Sequence, residues 1–247
     1  MNKKLSRVTV IDVPVSVVTM ESAVQYVAEN FNQLRGGYIC AANAHTTVMA
    51  HEDLRYRKVQ EESVLTLPDG KPLAVIGKHK SRMQMEKVTG THFMQRIFTD
   101  PRFSEKKHYF YGTREEDLAR MIPAVQREYP ALHICGYEPS VFRELGDTEV
   151  DDLARRIEEA GADFVWVALG APRQENLMYR MKGNTHAIMT GVGGAFHILA
   201  GTINDAPAWM QNAGLEWFYR LCKEPGRLFK RYLITNTKFI VYHLKAK

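Results

Sequence analysis

Cysteine is scarce in this chain of 247 residues. Cys40, Cys135 and Cys222 stand far apart, are odd in number, and form no CxxC pair. That argues against a disulfide framework and a structural zinc site, and fits a reducing cytoplasm. Long apolar runs are lacking as well: no stretch is long enough to span a bilayer. The start MNKKLSRVTVID is basic, but Asp12 and Pro14 interrupt its apolar run, so it reads as a first strand and not as a signal peptide. Two nucleotide signatures are also missing. No GxGxxG follows the first strand, which disfavours a Rossmann-type nucleotide-dependent oxidoreductase, and no GxxxxGK[ST] occurs, which disfavours a P-loop NTPase. Internal repeats and low-complexity segments are absent.

Positive charge is present but badly distributed. The net formal charge is +5. Residues 219–247 hold eight basic side chains and one acid, a local +7, while the remainder carries 25 basic against 27 acidic residues. A nucleic-acid binder usually carries its basic patch on the body, so nucleic acid is not an expected partner. A local basic tail fits phosphate or anionic lipid.

With 45% hydrophobic residues the chain can bury one sizeable core. Strand-like segments at 8–11, 38–42, 63–67, 108–111, 133–137, 164–168 and 187–190 alternate with helical patterns near 20–33, 46–60, 71–78, 91–98, 114–128, 147–160 and 172–181. The rhythm predicts an α/β fold: a Rossmann-like, mostly parallel sheet with helices on both faces. It stops near Ala206 and Pro207. Beyond it, residues 208–223 read as one helix, Pro225 and Gly226 as a break, and 227–245 as another. The expected organisation is therefore a catalytic domain over 1–206 and a C-terminal helical appendage over 207–247.

In such sheets ligands sit beyond the carboxyl ends of the strands. Asn43, Asp69, Gly112, Gly170 and Gly191 all fall there. Gly191 opens GVGG, whose Gly193 and Gly194 let backbone N–H groups approach a diphosphate closely at the start of a helix. Asp69 lies in Pro68-Asp69-Gly70, a favourable turn sequence; a carboxylate there also suits a general base. Asn43 suits a helix cap. Gln174, behind Pro172, opens another helix. Arg220, Lys223, Arg227, Lys230 and Arg231 recur at steps near three and four; on one helix they would share a face, but Pro225 breaks that helix, so they form no single stripe. Apolar residues interleave with them: Leu228, Phe229, Tyr232, Leu233, Phe239, Ile240, Val241, Tyr242 and Leu244. Packing against the body or another subunit, and an interfacial helix, both account for this pattern. His92 and His197, far apart and without an acid pair or HxH spacing, do not make a metal site.

LPDGKPLA (67–74), VALGAPRQE (167–175), GVGGAF (191–196) and GLEWFYRL followed by EPGRLFKRY (214–232) stand in the order of a known pattern. Over nearly its whole length the chain resembles the WecG/TagA/CpsF family of bacterial glycosyltransferases, glycosyltransferase family 26. The resemblance implies an inverting transferase without metal or other cofactor. It would move a hexose or N-acetylhexosamine-type sugar, such as N-acetylmannosamine, its uronic acid or glucose, from a UDP donor to a polyprenyl-diphosphate-linked saccharide. The setting would be cell-surface polysaccharide biosynthesis, with the protein peripheral at the cytoplasmic face of an anionic membrane and with room for a homo-oligomer. A non-catalytic membrane-associated assembly protein is the alternative.

Residue by residue, the resemblance makes Asp69 the base and places Asn43, Lys87 and Gln174 near the nucleotide sugar or acceptor. It gives Arg220 and Arg227, with Lys230 and Arg231 nearby, the diphosphate. The chain departs from the family pattern in five places. Ala41 stands where a threonine is frequent, Lys87 where an arginine is, His92 where an acid is, His197 where an aspartate is, and Asp205 where an arginine is. Altered donor or acceptor choice, or neutral drift around a retained pocket, would each produce these changes.

Overall fold

The computed structural model of the protein describes residues 5–246, apart from the side chains of Ala208, Asn212 and Arg227. The chain opens with β1 (Arg7–Val10) and β2 (Val13–Ser16), an antiparallel hairpin. The sequence predicts a single strand here. Instead Ile11 takes φ 57° and turns the chain back, and Asp12 is held by His51 at 2.7 Å and Arg57 at 2.6 Å. Pro14, which cannot donate to a ladder, is accommodated in this small edge hairpin.

After α1 (Met20–Leu34) come β3 (Tyr38–Ala42), α2 (Ala44–Glu52), α3 (Leu54–Glu61), β4 (Leu65–Pro68), α4 (Lys71–Ser81), α5 (Gly90–Thr99), β5 (Lys107–Gly112) and α6 (Glu115–Glu128). Then follow β6 (His133–Glu138), α7 (Asp147–Glu159), β7 (Phe164–Ala168), α8 (Arg173–Met181), β8 (Ile188–Gly191) and α9 (Ala195–Leu199). Asp53 divides the helix expected over 46–60. Its N–H ends α2 on Met49 and its carboxylate caps α3 by accepting from Arg55 and Tyr56.

Six strands form one sheet in the order β4-β3-β8-β7-β5-β6, every pair parallel. Its central strands are buried on both faces, as the unbroken apolar runs of β3 and β7 require. Tyr38, Cys40, Val165, Val167 and Met189 pack one face, while Ile39, Phe164, Trp166 and Ile188 pack the other. At the β4 edge the hairpin closes the sheet, with Ser16 Oγ accepting from Thr66 N at 3.1 Å. Because the sheet is parallel, all six carboxyl ends share one rim. β3, with β4 on its outer side, pairs with the last strand, β8, in mid-sheet, so Asn43 and Gly191 leave neighbouring strands.

The tail departs from expectation in two ways. Gly214, at φ 76°, splits the stretch 208–223 into α10 (Ala208–Ala213) and α11 (Glu216–Lys223). Pro225 begins α12 (Pro225–Lys245), sitting in its first turn where its missing N–H costs nothing. One face of α12 packs on α2, burying Leu228, Thr235 and Phe239. Lys238 at 2.6 Å and the Tyr242 hydroxyl at 2.7 Å both bond Glu52. The tail is thus an arm laid along the body.

Candidate active site

Asp69 ends β4 in a turn held by its own N–H, 2.8 Å from the carbonyl of Ala42 and 2.9 Å from that of Leu67. Both readings of Pro-Asp-Gly therefore apply at once: the turn is real, and it presents the carboxyl at the rim. Asn43 leaves the adjacent strand β3. Its Oδ1 caps α2 by accepting from His45 N at 3.0 Å and Thr46 N at 3.2 Å, and its side chain also hydrogen-bonds Asp69. Val88 N donates to the Pro68 carbonyl at 3.0 Å, which draws Lys87 to the same turn.

The arm supplies the other wall. Lys87 Nζ reaches Glu216 Oε1 at 2.5 Å and the Gln211 carbonyl at 3.1 Å. Lys71 Nζ reaches the Ala213 carbonyl at 2.9 Å. Gly214 lies so close to Lys71 that a Cβ would stand 2.4 Å from its Cδ. These contacts carry α11 over Asp69. Although Asp69 as a residue is only half-buried, desolvation is the strongest influence on its carboxyl and pushes it up to about 6. Arg220 pulls it down, Glu216 pushes it up, and Lys87 and Asn43 pull it down again. A carboxylate near 6 is ionised at neutral pH and basic enough to accept a proton, the requirement for a general base.

The glycine turns lie along the same rim. Gln174, buried on α8, uses Oε1 to accept from Gly170 N and Gly193 N, both at 3.0 Å, and donates from Nε2 to Glu175 Oε1 at 2.8 Å. Gly191 leaves room for the Gln174 amide, since a Cβ there would stand 2.7 Å from Nε2 and displace it. Gly112 has φ 128°, and a Cβ would stand 2.6 Å from the Ala168 carbonyl. Gly112 therefore brings β5 close to β7, and nothing in its geometry calls for a ligand. Gly194 stands at the N-cap of α9, a helix of five residues. Beyond β5 a cleft of about 410 Å³ is lined by Thr113, Arg114, Asp117, Phe142, His197 and the 202–203 segment.

Of the residues marked in the sequence, Asp69, Asn43, Lys87 and Arg220 meet at one end of the rim. Gly170, Gly191, Gly193 and Gly194 form the turns beside them. Gln174 lies behind those turns, its oxygen accepting from two backbone amides. Lys230 and Arg231 are exposed on α12. Arg231 is close enough to His45 to contribute, after burial, to lowering its pKa. Arg227 falls outside the described side chains. His92 and His197 stand apart: His92 Nε2 pairs with Asp205 Oδ2 at 3.3 Å, and His197 Nδ1 lies 3.8 Å from Asp117. Among the described residues no three His, Cys, Asp or Glu gather as metal ligands. Glu216 and Glu175 were missed by the residue reading. Both lie inside the recognised motifs, but only packing shows what they touch.

A profile of the glycosyl transferase WecG/TagA/CpsF family matches residues 8–247. The chain belongs to this family. The WecG/TagA/CpsF membership makes it a glycosyltransferase and removes the oxidoreductase and non-catalytic alternatives. Among curated proteins it is similar to an N-acetylglucosaminyldiphosphoundecaprenol N-acetyl-beta-D-mannosaminyltransferase of Bacillus subtilis (strain 168), with 28% identity over 91% of this chain and 86% of that protein. It is also similar to a protein of the same name from Bacillus spizizenii (strain ATCC 23059 / NRRL B-14472 / W23), with 27% identity over 87% and 81%.

Proposed function

We propose that the protein transfers an N-acetylmannosamine-type sugar, with inversion, from a UDP donor to an N-acetylglucosaminyl-diphosphoprenol at the inner face of a cell membrane. The carrying observation is Asp69: a rim carboxyl at about 6, set between Lys87, Asn43 and the arm's Arg220. In the proposed step Asp69 takes the proton of the acceptor hydroxyl as that oxygen attacks the anomeric carbon. The bond from that carbon to the diphosphate oxygen breaks, and UDP leaves with the electron pair. Arg220, with Lys230 and Arg231 further along the arm, is suited to the charge gathering on the leaving diphosphate, Arg by a two-point fork and Lys as a point charge. The glycine turns at Gly170 and Gly193–Gly194 let a diphosphate pass close to the backbone along the rim, with the Gly170 and Gly193 N–H groups themselves held by Gln174. The cleft beyond β5, with Arg114 against the Phe142 ring, suits the nucleoside end.

The exposed face of the arm supports the membrane setting. Trp209 is 64% exposed, Phe229 and Leu233 60% each, and Leu244 62%, interleaved with Lys230, Arg231 and Lys223. Apolar rings beside cations favour the interface of an anionic bilayer. Among the described residues no helix is long and apolar enough to cross one.

The test is transfer from a panel of UDP sugars to a short-chain N-acetylglucosaminyl-diphospho lipid, with Asp69→Asn alongside. Transfer from an N-acetylmannosamine donor, reduced about a hundredfold or more in the variant, is expected. No transfer from any UDP sugar, or a variant within tenfold of wild type, would overturn the reading.

A further inference from the structure

Glu175 is fully buried, 0% exposed, on a helix whose outer face is polar. A buried carboxyl without a cation is costly to keep. Burial pushes it up to about 7, partly offset by the hydrogen bond from Gln174. One oxygen, Oε1, accepts Gln174 Nε2 at 2.8 Å. The other makes no hydrogen bond of good geometry among the described residues, although the Tyr56 hydroxyl is near enough to favour the ionised form slightly. Core packing alone would place an apolar side chain here.

The amide of Gln174 shows what the carboxyl does. Its oxygen accepts two backbone N–H groups at once, Gly170 after β7 and Gly193 after β8, each at 3.0 Å. An amide turned over would put its NH2 against both donors. Glu175 is acceptor-only at Oε1 whether or not its other oxygen is protonated, so only one orientation of the amide satisfies both sides. Gly191 leaves the space that Nε2 occupies. We propose that Glu175 is a positioning residue: it locks the Gln174 amide, and through it the two glycine turns that flank the donor path. The effect on donor binding rests on the function proposed above; the lock itself does not.

The polarity of the lock is reversible, which makes it testable. In the exchange Gln174→Glu with Glu175→Gln, a carboxylate at 174 accepts both glycine amides and the new amide at 175 donates to it. The connections survive. Gln174→Glu alone sets two buried carboxyls face to face, which must share a proton. Tyr56 on α3 and the Cys40 thiol on β3 also face Glu175, and burial raises both well above their ordinary values, so they stay neutral in the working range. The single variant is therefore intact at low pH and fails as pH rises far enough to remove the shared proton.

Two readouts apply: amide hydrogen exchange over 168–172 and 191–195, which needs no substrate, and donor KM against kcat over pH 5.5–8.5. Glu175→Ala is expected to speed exchange in both turns together and raise donor KM about tenfold or more, the factor for a lost hydrogen bond to a charged group. Glu175→Gln, which keeps the acceptor oxygen, is expected to stay near wild type. Gln174→Glu is expected to lose activity with rising pH, and the exchange variant to regain it. Unchanged exchange in Glu175→Ala, or an exchange variant no better than Gln174→Glu at pH 8, overturns the proposal. If Glu175→Ala does not fold, the comparison of Gln174→Glu with the exchange variant decides alone. Wild-type failure to use any UDP sugar would sink the functional reading, while hydrogen exchange would still judge the lock.

Discussion

Glu216→Gln offers the sharpest check on the base. Glu216 faces Asp69 from the arm and raises its pKa, and it also holds the Lys87 ammonium at 2.5 Å. Removing its charge acts twice in one direction: a repulsion disappears, and Lys87, no longer neutralised, stabilises the Asp69 carboxylate more strongly. A unit charge at this range in a partly solvated site is worth about 1–2 kcal/mol, or about one pKa unit. A base must be deprotonated to act, so kcat/KM rises with pH through the Asp69 value of about 6. The variant's limb should lie about one unit lower. At pH 5.5 roughly a quarter of wild-type Asp69 is ionised against roughly three quarters in the variant, so its kcat/KM relative to its own plateau should be about threefold higher. The assay is kcat/KM for the donor from pH 4.5 to 8.5 at constant ionic strength. This quantity reports the free enzyme, and normalising to the plateau removes any general loss from a loosened arm. A limb that stays in place, or moves to higher pH, would refute the assignment of the limb to Asp69.

Two further outcomes are expected. Transfer should persist in excess chelator, since in the proposed mechanism Arg220 and the other cations of the arm take up the charge of the diphosphate; activity abolished by chelator and restored by magnesium or manganese would contradict this. Deleting residues after Ala206 should remove vesicle binding and also transfer to a soluble acceptor, because the deletion takes away Arg220 and the Lys87 partners Gln211 and Glu216; paired flotation and kinetics decide, and a truncated chain working at wild-type rate would show the arm to be an anchor only.

The sequence was a good guide wherever local rules dominate. Apolar runs fixed the expected places of β3 and β7, and both occupy the residues foreseen. Carboxyl ends of strands pointed to the rim, and motif order pointed to the family. It was a poor guide where one contact overrides a local preference. Asp12, gripped by His51 and Arg57, turned one expected strand into a hairpin. Asp53 divided one helix, and Gly214, pressed against Lys71, divided another.

What the amino-acid order determined by itself is therefore the alternation of strand and helix, the glycines and Asp69 at strand ends, and the basic, apolar tail. These follow from periodicity, turn chemistry and composition, which need only near neighbours in the chain. Tertiary structure alone decided that the tail lies over Asp69, that Glu216 holds Lys87, and that Gln174 faces two backbone amides and a buried carboxyl. Those contacts join residues 129 positions apart in one case and 19 in another. The carboxyl values near 6 and 7 also belong to the folded state, because desolvation arises only when distant segments exclude water from the same place.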